Sequence, residues 1–186
     1  MTSTADDWQK LRSEYSVDLT IAKLRFDHLV NPRNGKAVKV SVLESPDAAN
    51  VVALTTDDRV VLIRQYRFGT ETVTTELPGG MVDDGEDILE AAKRELREET
   101  GYTSPRWISL GKVPANPVFQ DSYIHNFLCL DAERTHTELV LDDAEDIEVF
   151  TLPWAETLAA LHDGTVDHPH SMAGLLRAAH WRAAEQ

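Results

Sequence analysis

The sequence predicts a mixed α/β (α+β) fold: a sheet covered by helices, preceded by a small antiparallel unit. Three observations carry this prediction. Two apolar runs, 51–56 and 60–66, are too short for buried helices and flank an Asp57-Asp58 turn, so they read as central strands. Residues 87–99 carry a helical apolar stripe with start and stop signals at its ends. Further strand-like segments, and then helix-like segments, follow to the C-terminus, with no internal repeat and no low-complexity tract.

Taken in order, residues 1–15 form a polar segment around Trp8 and Leu11 that suits a helical turn. Ala22, Leu24, Phe26, His28 and Val30 then alternate with Lys23, Arg25 and Asp27. Asn34-Gly35 marks a turn, after which Val38, Val40 and Val42 alternate with Lys39 and Ser41, so residues 21–42 read as a hairpin with one buried face. Ser45-Pro46-Asp47 breaks the pattern. It sets the expected boundary between an N-terminal unit, 1–46, and a main domain, 47–186. After the two central strands, residues 72–77 form another strand candidate ending at Pro78-Gly79-Gly80. In the helix that follows, Ile88, Leu89, Ala92 and Leu96 share a face, Asp87 with Glu90 resembles a capping box, and Gly101 supplies the stop. Strands are expected near 106–112, 123–130 and 147–152, and helices over 154–162 and 172–184.

Composition narrows the function classes. A chain of 186 residues is long enough for one real core. No apolar run approaches the roughly 18 residues that cross a membrane. No basic start leads into an apolar stretch, so the expected location is the cytoplasm. The formal net charge of -14 argues against a nucleic-acid surface. Cys129 stands alone in an apolar segment and reads as a buried small residue. His168-Pro169-His170 has no third ligand nearby and reads as a solvated loop.

The segment richest in chemistry runs from Gly80 to Tyr102. It places Gly80, Glu86, Arg94, Glu95, Glu98, Glu99 and Gly101 in one frame. At helical spacing Glu95, Glu98 and Glu99 project from one sector, beside the apolar stripe. Arg94 lies four before Glu98 and suits orienting one carboxylate, but one guanidinium does not neutralise three. Hard divalent cations do. Carboxylate oxygens with a backbone carbonyl from the Gly79-Gly80 loop suit Mg²⁺, with Mn²⁺ as a substitute. Bound cations also explain how so acidic a chain would attract a phosphate ester. A solvated helix face accounts for any one Glu pair. Chance recurrence of the whole frame is on the order of 10⁻⁷ per chain of this length, so it does not account for all of them.

This segment resembles the signature of the Nudix hydrolases at every specified position; Tyr102 fills a slot more often taken by an aliphatic residue. Residues 60–69, 74–82 and 142–153, with the N-terminal hairpin, resemble the subgroup that hydrolyses ADP-ribose and related nucleoside-diphosphate sugars. The resemblance implies a Nudix-type α/β/α sandwich, a homodimer built with the N-terminal unit, and hydrolysis of a pyrophosphate linkage by water. It implies metal held by Glu95, Glu98 and Glu99 with the carbonyl of Gly79 or Gly80, Glu86 as a support or outer metal contact, and Arg94 positioning a glutamate. In the subgroup a general base often comes from an acidic loop after the signature. Here that loop is Asp142-Asp143-Ala144-Glu145-Asp146, with Glu145 favoured and Asp143 second. Arg67 matches a substrate-binding arginine, with Arg64 beside it, and Glu76 is a candidate contact to base or ribose. Tyr66 and Phe68 are aromatic candidates for base stacking or core packing. Relatives that cleave ADP-ribose commonly carry Ser-Pro-Gly sixteen residues past the last signature glycine; here Pro117 stands at that distance but in Asn116-Pro117-Val118. The substrate is thus open between ADP-ribose and hexose-linked nucleotides such as GDP-mannose or UDP-glucose. Two rival readings stand beside it. One is a hydrolase of dinucleoside polyphosphates or non-standard nucleoside triphosphates, against which the Arg67 context and the N-terminal hairpin count. The other is a non-catalytic nucleotide-sugar sensor, against which the complete set of signature glutamates counts.

Overall fold

Strand pairing organises the chain, a computed structural model of which describes residues 7–185. Backbone contacts divide it into two units: Met1–Pro46 with Pro114–Tyr123, and Asp47–Val113 with Ile124–Gln186.

In the first unit, β1 (Gln9–Asp18), β2 (Lys23–Val30) and β3 (Ala37–Glu44) form an antiparallel sheet in that order. The expected helical turn over 1–15 is corrected from Gln9 onward, where the chain is a strand; residues 1–6 lie outside the described residues. β1 pairs along its whole length with β2, from Gln9↔Val30 to Asp18↔Lys23, and a cross-strand ladder overrides a weak local preference. The hairpin β2–β3 is in register from Lys23↔Glu44 to Val30↔Ala37. Its expected single buried face is also corrected: Val40 is exposed, while Asp27, placed by alternation on the polar face, is buried. Three donors explain the inversion. Ser13 Oγ donates to the Asp27 carboxylate at 2.6 Å, Lys10 Nζ lies at 2.8 Å, and Arg25 Nε at 3.3 Å. Segment 114–123 belongs to the same unit. Leu43 N–H donates to Phe119 O at 2.7 Å, and Arg25 reaches Asp121 at 2.8 Å.

The second unit holds β4 (Ala48–Thr55), β5 (Arg59–Arg67), β6 (Thr72–Glu76), α1 (Ile88–Thr100), β7 (Tyr102–Thr103), β8 (Arg106–Pro114), β9 (Tyr123–Arg134), β10 (Ile147–Pro153), α2 (Trp154–Asp163) and α3 (Pro169–Ala184). Its sheet runs β10-β5-β4-β9-β7, with β6 on β5 and β8 on β9. β4 and β9 are parallel; β5 is antiparallel to β4, β6 and β10. The period-two alternation of β4 and β5 divides the core into two layers. Val52, Leu54, Val60 and Leu62 pack with Ala160 of α2 and Leu175 and Ala178 of α3. Val51, Ala53 and Val61 pack with Ala92 and Leu96 of α1. The helices therefore cover opposite faces of the sheet, the α/β/α arrangement expected. Cys129 is fully buried, and burial pushes its thiol up to about 12.

Candidate active site

α1 is fixed at both ends by local chemistry. The Asp87 carboxylate accepts the N–H groups of Leu89 and Glu90 at 2.9 and 3.2 Å, and Gly101 closes the helix at φ 74°. Only half of the expected capping box forms, because Glu90 turns to Lys93 at 2.7 Å instead. Upstream, the Pro78-Gly79-Gly80 loop lies along β4: Val51 N–H donates to Pro78 O and Ala49 N–H to Gly80 O, each at 2.9 Å. Glycine is required here. A Cβ on Gly79, at φ 152°, would stand 2.1 Å from Ala49 O, and one on Gly80 would meet the Glu95 carboxylate at 2.6 Å.

This close approach brings the loop and three glutamates together. Gly79 N–H donates to Glu99 Oε2 at 2.7 Å. Arg94 grips both oxygens of Glu86 at 3.0 Å, and its other nitrogen reaches Glu95 at 2.8 Å and Glu98 at 3.2 Å. It also donates to Met81 O at 3.0 Å, tying α1 to the loop. Burial pushes the Glu99 carboxyl well above the usual carboxylate range; Gly79 N–H opposes this, while Glu95 and Glu145 add to it. Burial likewise raises Glu95, against Arg94 and with help from Glu145 and Glu98.

Those mutual effects place Glu145 within the electrostatic reach of the helix carboxylates. Glu145 also closes its own loop: its carboxylate accepts the Asp142 N–H at 2.8 Å, and its N–H donates to Asp142 O at 2.9 Å. It is half-buried, whereas Asp142, Asp143 and Asp146 are exposed. Arg67 belongs to the same field. Its hydrogen bonds to Glu76 raise its pKa first, and Glu99 and Glu145 contribute.

Arg64 does not join them. Three residues from Arg67 on a strand, it projects from the other face of β5, pairs with Glu148 at 3.0 Å and stacks on Phe150 at 4.5 Å. Its expected place beside the carboxylates is corrected accordingly. Glu76, expected at a base or ribose, is 1% exposed and accepts both Arg67 bonds, at 2.7 and 2.6 Å, with a further bond from Thr74. Tyr66 and Phe68, also candidates for stacking, are exposed and meet edge to face at 5.4 Å.

The expected solvated loop at His168-Pro169-His170 is corrected as well. Pro169 is the first residue of α3, a position that suits its missing N–H, and His168 flanks it at the N-cap. His168 lies 3.5 Å from Glu76, and Ser171 is fully buried. The sequence-predicted site residues do not include His168, Ser171, Asn50 or Asn126. The two asparagines stand in otherwise apolar central strands, which was the signal that polar contacts are needed there.

Among the described residues, no three His, Cys, Asp or Glu side chains stand in a ready-made ligand group. The donor set nonetheless suits a hard divalent cation. Glu95, Glu98 and Glu99 are oxygen donors on one helix sector, two of them resist ionisation in their present surroundings, and one guanidinium spans three carboxylates. An arrangement of this kind can polarise a phosphate and hold water against it.

Comparison with known proteins agrees with this geometry. Residues 44–174 match the family model described as NUDIX domain. An ADP-ribose pyrophosphatase of Bacillus subtilis (strain 168) is 32% identical over 67% of this chain and 68% of its own length. A methanol dehydrogenase activator of Bacillus methanolicus is 30% identical over 80% of each chain. The crystal structure of an ADP compounds hydrolase shares the fold at a TM-score of 0.84, with 24% identity, over 99% of this chain and 98% of that one. With its glutamates gathered on α1 against the Gly79-Gly80 loop, the chain belongs to the Nudix family and is a Nudix hydrolase.

Proposed function

We propose that the protein hydrolyses the pyrophosphate linkage of a nucleoside-diphosphate sugar, with ADP-ribose first and GDP-mannose or a similar nucleotide next. The observation that carries the reading is the gathering of Glu95 and Glu99 against the Gly79-Gly80 loop, with Arg94 bridging Glu95 and Glu98. The ADP-ribose pyrophosphatase of Bacillus subtilis supports the choice of substrate.

Glu95, Glu98 and Glu99 would hold Mg²⁺ or Mn²⁺, with the Gly79 carbonyl favoured over that of Gly80, which already accepts the Ala49 N–H. When bound, the cation supplies charge to the phosphate oxygens and lowers the pKa of coordinated water. The chain's own groups do the rest. Arg94 keeps Glu86, Glu95 and Glu98 in register with the Met81 carbonyl. Arg67, half-exposed and braced on Glu76, offers a planar guanidinium to a phosphate oxygen. Glu145 accepts the proton of the attacking water once its carboxylate leaves the Asp142 N–H; Asp143 is the second choice. For ADP-ribose the products are AMP and ribose 5-phosphate. The protein acts as a cytoplasmic homodimer in this reading, with residues 1–46 as the dimerising part and 47–186 as the hydrolase domain.

A panel of nucleoside-diphosphate sugars, dinucleoside polyphosphates and nucleoside triphosphates, incubated with Mg²⁺ and resolved by product chromatography, tests the reading. Cleavage of ADP-ribose to AMP is expected, and Glu99→Gln is expected to lower kcat by at least about 100-fold, the scale of losing a charge-stabilising contact. Exclusive turnover of triphosphates would overturn the substrate class.

A further inference from the structure

The N-terminus of α3 reaches Glu76, and the Leu77 backbone that leads into the Gly-Gly loop, through one connected set of side chains. Ser171 Oγ accepts the Leu77 N–H at 2.9 Å, and Leu77 is the residue between Glu76 and Pro78. His168 Nδ1 stands 3.3 Å from that same oxygen and 3.5 Å from Glu76 Oε2. The His170 ring packs edge-on against His168 at 5.0 Å. The His170 carbonyl accepts Asn50 Nδ2 at 2.9 Å, which ties the first turn of α3 to β4 beside Ala49, the residue that abuts Gly79. Gly174 permits the approach: a Cβ there would stand 3.0 Å from Asn126 Oδ1 and Leu77 Cδ1.

These contacts have a direction. Glu76 is 1% exposed, so its two oxygens have little access to water and are positioned by what surrounds them. On one side is Arg67, the group that faces the carboxylate field; on the other is His168. Burial holds Glu76 up, but the Arg67 and Thr74 hydrogen bonds outweigh it, so the carboxyl is lowered and remains an anion. Burial lowers His168, so it remains a neutral imidazole that competes little with Arg67 for the charge of Glu76. An anion beside the first turn of a sixteen-residue helix is also favoured by the helix dipole.

We propose that His168 and Ser171 are positioning residues: they seat Glu76 from the α3 side, and through it fix the guanidinium of Arg67 for the diphosphate. The proposal rests on the reading of Arg67 as a substrate-binding group. It goes beyond that reading by assigning α3, outside the glutamate helix and its loop, a part in substrate affinity.

The test combines a substrate-free readout with kinetics. The Arg67 Nε–H resonance, assigned by its loss in Arg67→Ala, reports the Glu76 hydrogen bond directly by NMR. His168→Ala, a change at a partly exposed site, is expected to shift or broaden it. The same variant is expected to raise KM for ADP-ribose about tenfold, the scale of one hydrogen bond to a charged group, with kcat within about threefold of wild type. The effect of His168→Ala on kcat/KM is expected to vanish in the Arg67→Ala background, as it would not if His168 merely stabilised the fold. His168→Gln, which keeps a donor and an acceptor, is expected to recover part of the loss. Ser171→Ala is expected to move the same resonance and KM in the same direction. An unmoved Arg67 signal in His168→Ala, or full additivity with Arg67→Ala, overturns the proposal. Wild-type protein that leaves ADP-ribose intact while the Arg67 signal still responds to His168→Ala would overturn the substrate reading and support the positioning of Glu76 and Arg67 by His168.

Discussion

At Glu99, burial and the neighbouring carboxylates Glu95 and Glu145 oppose ionisation, and the Gly79 N–H opposes them in turn. The net effect is a folded-state pKa well above the ordinary 4.5. The sign of the consequence follows from proton linkage. Between the ordinary value and the raised one, the folded protein keeps a proton that the unfolded chain has released, so stability falls as pH rises through that window. Glutamine removes the titration and keeps the shape. In chelator, Glu99→Gln is therefore expected to melt a few degrees above wild type at neutral pH, and the gap is expected to close as pH falls toward the ordinary carboxylate range. Added Mg²⁺ should then stabilise wild type more than the variant. Scanning calorimetry across pH reads both effects; equal melting temperatures at every pH would show that the buried carboxylate carries no electrostatic strain. A variant that is more stable and at least about 100-fold slower would place Glu99 among residues whose stability cost is tied to function.

At the scale of elements, the ends of α1 and the interior of β2 differ in what holds them. Gly101 stands at φ 74°, and a Cβ there would lie 2.2 Å from His136 O. Gly101→Ala is expected to cost about 1–3 kcal/mol in chemical denaturation, from backbone strain together with the close approach. In β2 the buried side chain is Asp27, and its partners come from β1 and from β2 itself. Asp27→Ala leaves Ser13 and Lys10 without this acceptor, while Arg25 keeps Glu44 and Asp121. An expected cost of about 2–3 kcal/mol should appear in hydrogen exchange as lost protection over β1–β3 while the α1 amides stay protected. Uniform loss across the chain would contradict that local role. The same contrast explains what was legible in the sequence. The Asp87 cap, the Ala92 and Leu96 stripe and the Gly101 stop lie within one segment, so α1 and its carboxylates could be read directly. The strand character of β1 depends on partners up to Val30, and the burial of Asp27 depends on Lys10 and Ser13. Arg64 and Arg67 look equivalent in a motif, yet an odd separation on a strand sends them to opposite faces. His168 meets Glu76 only after α3 returns to the sheet, a contact that no local pattern announces.

At the scale of the whole molecule, β1 poses a problem that a single chain leaves open. It is an edge strand in the order β1-β2-β3, and Leu11, Tyr15, Val17, Leu19 and Ile21 along it and its following turn are all exposed. Exposed edges that carry apolar side chains favour pairing with another chain. A second copy is the occupant that the homodimer reading supplies. Removing residues 1–45 would be a blunt test, because Leu43 bonds to Phe119 and Asp121, and Arg25 to Asp121; the deletion would strip 114–123 of its partners. Point changes avoid that damage. Leu11 lies at the register shift between Lys10 and Arg12, and Ile21 lies in the turn before β2, so neither is a paired ladder position. Leu11→Asp with Ile21→Asp adds like charges to a chain already at -14, and across a symmetric interface each charge would meet another copy of the same surface. Sedimentation velocity is expected to show a dimer for the unaltered chain and a monomer for the double variant at micromolar concentration, with far-UV circular dichroism unchanged. A variant that sediments as the same dimer would remove β1 from the interface.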